Sequence, residues 1–212
     1  MLRRPIVALI AVATALLGAC APTTEVTAGP AACVSDPIPT VAVVDFQNTS
    51  GQGGGVSVVG VEEAATARLI TLLKESGCYV IVERSELQTI IEKQGMESLD
   101  PVALAKAAGA GYVVTGTVTR ATVARPGGSL FGVTLGETKA QIEVDVRATD
   151  IVTGEVVVSK KGSGEAMSPN ISVSNVPVAG NVSYNDPTVG PLFAEAANSA
   201  INQVVAALRA KF

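Results

Sequence analysis

Three cysteines and a glycine-rich loop are the residues of this chain with the most chemistry to offer. The first cysteine closes the run Leu17-Gly18-Ala19-Cys20. Before it stand Arg3 and Arg4, an uncharged apolar stretch from Pro5 to Leu16, and then small residues. That is the layout of a secretory signal, too short and wrongly flanked for a spanning helix. Leu-Gly-Ala-Cys resembles the bacterial lipobox, in which the cysteine thiol is acylated and the chain is then cut just before it. The expectation is a signal peptide over 1–19 and lipid on Cys20. Ala21 follows the cysteine where an aspartate would favour the inner membrane, so the outer membrane is the expected anchor. Several acyl chains, at about 0.8 kcal/mol per buried methylene, make such anchoring stable.

Cys33 and Cys78 remain. Their spacing is neither a zinc nor a thioredoxin pattern, and an exported chain meets conditions that permit a disulfide. Cys78 stands just before the strand-like run Tyr79–Val82, and Cys33 a few residues before Thr40–Phe46. If those strands are parallel neighbours, their starts share one sheet edge and a bridge between Cys33 and Cys78 comes within reach. Two unpaired thiols are the alternative.

The loop Gly51-Gln52-Gly53-Gly54-Gly55 follows the first strand, and Glu83 ends the second. A dinucleotide fold keeps its phosphate loop and its ribose-binding acid at such positions. The spacing fails, because a hexad begun at Gly51 puts Val56 where its last glycine belongs. The sequence G-x-x-x-x-G-K-[ST] is also absent, so the loop reads as surface. Glu143 and Asp145 share one strand face, but Arg147 lies on the same face, and a solvated stripe fits better than an acid–base pair. The chain has no histidine, which removes Ser-His-Asp triads, Cys-His dyads and histidine metal sites. No catalytic residue, metal or cofactor is expected.

A net charge of −4, with no basic run after the signal, argues against nucleic acid as a partner. Residues 20–39 are rich in Ala, Pro, Thr and Gly and read as a tether; residues 40–212 read as one domain. Thr40–Phe46, Tyr79–Val82 and Tyr112–Val118 are short β-branched runs. Between them lie helical patterns over Val61–Ser76, Glu86–Gln94 and Val102–Ala108, with Ser85 and Asp100 as caps and Gly77 as a stop. That order predicts parallel neighbours in an α/β layer. The second half turns to strands. Ala140–Ala148 alternates strictly, with Ile142, Val144 and Val146 facing one way. Asp150–Gly154 turns it back into Glu155–Lys160, and Ile171–Tyr184 is β-like. Leu192–Phe212 is an amphipathic helix whose buried face is expected to hold Leu192, Ala196, Ser199, Ala200, Val204 and Leu208. The fold class is an α/β domain with three-layer character. Its mixed sheet is flanked by helices, extended by β-hairpins and closed by the C-terminal helix.

With these elements in place, several blocks resemble the curli production assembly/transport component (CsgG) family. They are Val41–Phe46, Ala64–Leu73, the Glu83-Arg84-Ser85-Glu86-Leu87-Gln88 block, Ala107–Thr117, and Val144–Val157 with its Val152-Thr153-Gly154-Glu155 turn. The likeness runs from about Pro39 to the C-terminus. It implies an outer-membrane lipoprotein acting as a ring of identical subunits, each lending two β-hairpins to a barrel that exports amyloid-like or surface proteins. The candidate hairpins are 117–148 and 155–184, and the pore-loop candidate is Gly51–Gly55, which here has no aromatic residue. Members without a pore are periplasmic lipoproteins of similar fold that dock or activate a partner protein.

Overall fold

The computed structural model describes residues 33–51, 56–94, 100–124, 127–130, 133–136, 138–168 and 180–212. In chain order the elements are β1 (Thr40–Val43), β2 (Gln47–Asn48), β3 (Val56–Val59), α1 (Val61–Ser76), β4 (Val80–Val82), α2 (Arg84–Gln94) and α3 (Pro101–Ala107). Then follow β5 (Tyr112–Ala124), β6 (Gly127–Leu130), β7 (Val133–Gly136), β8 (Thr138–Asp150), β9 (Val156–Ser168), β10 (Gly180–Ser183) and α4 (Gly190–Lys211).

The main sheet runs β4-β1-β5-β8-β9, with β2 also on β5. β1 pairs in parallel with β4 and β5, as an alternation of strands and helices requires. β5, β8 and β9 then form an antiparallel meander. The sheet is therefore mixed, with a parallel half and an antiparallel half. Successive side chains point to opposite faces. Val41 and Val43 enter the core under α1 and α4, while Ala42 faces α2 and α3 together with Val82, Leu87, Leu104 and Val113.

Each helix has a local cause. α1 carries Glu62 and Glu63 in its first turn, where the helix dipole favours acids, and ends at Gly77. Gly77 takes the left-handed conformation at φ 69° and returns its N–H to the Lys74 carbonyl, a closure that suits glycine. α3 starts at Pro101 after Asp100, whose carboxylate accepts the Val102 N–H at 3.2 Å. α4 packs against both β8 and β9. Gly162 and Gly164 of β9 allow that approach, because a Cβ on either would overlap the carbonyl oxygen of Ala200 or of Ala196. Beyond them, the Gln203 amide both accepts the Ser163 N–H at 3.3 Å and donates to the Ser163 carbonyl at 2.7 Å.

Several expectations need correction. The strand expected over Glu155–Lys160 continues to Ser168, since its glycines serve helix contact and do not end the strand. The third strand and the β-like run expected over Thr117–Arg125 form a single strand that ends at Ala124. α2 begins at Arg84, so Ser85 lies inside it. Ser199 is exposed, and the buried face of α4 instead adds Phe193, Ala197, Ile201 and Val205. In the candidate stretch 155–184, β9 pairs with β8 and β10 pairs in parallel with β3, while residues 169–179 lie outside the described residues. Among the described residues of 117–148, β5 and β8 belong to the core sheet, and β6 and β7 pair with each other apart from it.

Candidate functional site

Two places gather polar or covalent chemistry. One is the end of the sheet where β1, β4 and β5 begin, here called the lower end. The other is the uncovered face of β5, β8 and β9.

At the lower end a disulfide joins Cys33 to Cys78, with Cα atoms 5.3 Å apart. Segment 33–39 is held by more than that bond. The Pro39 carbonyl accepts the Val80 N–H at 3.0 Å, the Thr40 carbonyl accepts the Gly111 N–H at 2.9 Å, and the Ser35 N–H donates to the Phe212 carbonyl. The Phe212 ring is buried and meets Tyr79 and Tyr112 edge-on, with centroids 5.9 and 4.7 Å away. Such edge contacts match the positive rim of one ring to the negative face of another. The Tyr79 hydroxyl is buried and has no hydrogen-bond partner among the described residues. Burial pushes its pKa up to about 12, with the Arg209 charge pulling the other way.

On the face shared with α2 and α3, those two helices cover only the parallel half. Beyond them Thr115 and Thr117 of β5, Asp145 and Arg147 of β8 and Ser159 of β9 line a shallow pocket of about 290 Å³. Glu143 stands between Lys161 at 2.6 Å and Arg120 at 3.5 Å. Glu165 takes the Lys139 ammonium at 2.6 Å and the Gln141 amide, and these bonds, Lys139 first, hold its carboxyl below the ordinary range. Water and salt reach these pairs and screen them. The stripe of Glu143 and Asp145 is thus part of a solvated lattice of charge.

At the opposite, upper end, Gly51 is described, while Gln52, Gly53, Gly54 and Gly55 lie outside the described residues, as does Cys20. The approach to that loop is stapled by Asn48, whose amide donates to the Val58 carbonyl at 2.8 Å and to Glu62 at 3.0 Å. Glu83 pairs with Lys74, and Arg84 reaches Asp45 at 2.9 Å and Glu63 at 3.4 Å. The Glu83–Gln88 block therefore fastens the start of α2 to α1 and to the end of β1, with Leu87 in the core. Among the described residues no group of three or more His, Cys, Asp or Glu is placed to hold a metal. No described helix is long and apolar enough to cross a membrane.

Sequence reasoning missed Gly162, Gly164, Gln203 and Phe212. A glycine pair inside a strand pattern marks close backbone approach and was the one available signal. The partners of that approach, Ala196 and Ala200, lie on a distant helix and leave no local trace.

Comparison with known proteins adds a family. The family described as curli production assembly/transport component CsgG matches residues 28–212. A protein of Neisseria meningitidis serogroup B, named as a lipoprotein, is 27% identical over 175 residues, covering 79% of this chain and 75% of that protein. Among solved structures, lipoprotein GNA1162 from Neisseria meningitidis aligns at TM-score 0.48 and 17% identity, over 62% of this chain and 85% of that one. Hypothetical protein CT253 from Chlamydia trachomatis aligns at TM-score 0.49 and 10% identity, over 82% and 96%.

Proposed function

This chain belongs to the CsgG family, and from that membership we propose that it is an outer-membrane lipoprotein anchored at Cys20. In this reading it works as a non-enzymatic docking component of an export or surface-assembly system, and the α/β domain presents its open sheet face to a partner protein. The observation that carries the reading is how the strands are used. Ala140, Ile142, Val144, Val146 and Ala148 are buried under the helical layer, so β8 and its neighbours are committed to the core. Among the described residues the strands that pair outside that sheet, β6 with β7 and β3 with β10, have four residues each. A strand crossing a bilayer needs about 9–11 residues.

The family's ring-shaped channel is the second reading. The β6–β7 hairpin favours it, since it continues from β5 and β8 as a barrel hairpin would. Two measurements test the pair. In a host that processes lipoproteins, Cys20→Ser releases the protein from outer-membrane fractions; equal retention overturns the anchor. Purified lipidated protein in a planar bilayer carries no stepwise ionic current; discrete conductance steps, with a large ring in mild detergent, overturn docking in favour of the channel.

A further inference from the structure

We propose that the outer edge of β9 is a binding site for an extended polypeptide strand, held shut by Gln203. This goes beyond the reading above by naming an edge, and not a face, as the place where a partner's backbone is held. It stands whether or not Cys20 carries lipid.

β9 is the last strand of the main sheet, and among the described residues no strand pairs along its other side. A strand in that position presents a row of backbone N–H and C=O groups to any extended chain. At Ser163 the row is occupied. The Gln203 side chain accepts the Ser163 N–H at 3.3 Å and donates to the Ser163 carbonyl at 2.7 Å. A residue of an antiparallel neighbour would exchange the same two bonds with Ser163. The carboxamide is the chemical group of a peptide bond, so this edge already holds an amide of its own chain where a foreign backbone would bind. Ser163 also fixes which groups look outward. Hydrogen-bonding direction alternates along a strand, so the backbone groups of Lys161 and Glu165 point the same way.

The lock can open. Gln203 is exposed, so water takes over both bonds when the side chain swings away, and no buried group is stranded. α4 stays seated without it, because Ala200 and Val204 beside it are buried in the core. Ser199 and Ala207, four residues to either side on the same flank of α4, are small, so Gln203 is the bulk that stands over the edge there.

The side chains of β9 say which strand fits. Lys161, Ser163 and Glu165 are exposed on the open face, while Gly162, Gly164 and Ala166 lie buried on the other. An incoming strand therefore alternates too, polar on the open face with an acid opposite Lys161, and apolar toward α4. β8, on the inner side of β9, has that pattern and sets Asp145 opposite Lys161, Glu143 opposite Ser163 and Gln141 opposite Glu165. The partner is thus a protein segment with the alternation of β8, added antiparallel.

The probe is a fluorescein-labelled peptide with the sequence Lys139–Arg147, titrated into the full chain and read by anisotropy. All forms carry Cys20→Ser, which keeps acyl chains and detergent out of the titration. Q203A is expected to bind the peptide about five- to tenfold more tightly than its parent, because two exposed hydrogen bonds no longer compete. Alanine suits a helix, so α4 persists in that variant. Adding Ser163→Pro to Q203A removes the outward N–H and leaves the groups that pair with β8; binding is expected to vanish, with the urea midpoint as the check on folding. Hydrogen exchange on Q203A locates the peptide independently, through slowed amides at Lys161, Ser163 and Glu165. No binding by Q203A, binding no tighter than the parent's, undiminished binding by the folded proline variant, or protection elsewhere overturns the proposal. A Q203A dimer that the peptide fails to dissociate puts a second copy on the edge and overturns it as well.

Discussion

The parallel and antiparallel halves of the sheet solve the burial problem differently. β4, β1 and the start of β5 lie between two helical layers, and their residues are apolar on both faces: Val41 and Val43 one way, Ala42 and Val113 the other. β8 and β9 are covered on one face only, by α4, and their other face is Gln141, Glu143, Asp145 and Arg147 beside Lys161 and Glu165. A sandwiched strand reads as an unbroken apolar run and a half-covered one as strict alternation. The second half keeps a face free for something else while leaning on a single helix.

That dependence sets the largest expected effect. Gly164→Val drives a side chain into the Ala196 carbonyl and lifts α4 from β9. Urea denaturation is expected to show a loss of more than about 3 kcal/mol, while Ser163→Val, one residue away on the open face, changes little. Equal losses at both positions would mean that the two faces are not different in kind. Next comes the lower edge of the sandwiched half. Removing the disulfide by Cys33→Ser with Cys78→Ser frees a 45-residue loop and lowers stability by about 4 kcal/mol. The same loss under reducing conditions in wild type, read from the urea midpoint, confirms the source.

Neighbours on β8 then separate face from face. Ile142→Ala opens a cavity beneath α4 and costs about 2–4 kcal/mol. Glu143→Ala breaks two exposed ion pairs and costs less than about 1 kcal/mol. The smallest effect concerns pH. An unfolded tyrosine ionises near 10, and folded Tyr79 near about 12. Between those values the unfolded chain sheds a proton that the folded chain keeps, so stability is fully present below pH 10 and declines as pH rises through that window. Tyr79→Phe removes this share of the decline. Its hydroxyl leaves no partner stranded, so the variant is as stable as wild type at pH 7.

The sequence announced the elements better than their ends. Ala140–Ala148 was readable because one face is dry and one wet, and β1 because both faces are dry. α1 was readable from its spacing and from Gly77. The length of β9 was hidden because Lys160, Lys161, Gly162, Ser163 and Gly164 carry no strand propensity of their own, and their pairing comes from β8 and their packing from α4. The β3–β10 pair joins short segments more than a hundred residues apart, a parallel contact with no local signature. Within the candidate site, the cysteine pair was visible as two residues before two strands. Phe212 was not, since a terminal aromatic becomes a plug only once Tyr79 and Tyr112 stand beneath it.

The order of synthesis gives the position of α4 a further meaning. A growing chain exposes β5, β8 and β9 before α4 has left the ribosome. For that interval Ile142, Val144 and Val146 form an apolar strip with no lid, beside the long unshielded edge of β9. Such a strip is the kind of surface that neighbouring nascent chains stick to and that holding chaperones recognise. The domain can close only as a final event, when α4 arrives, seats Ala196 and Ala200 on the two glycines and turns Gln203 over the edge.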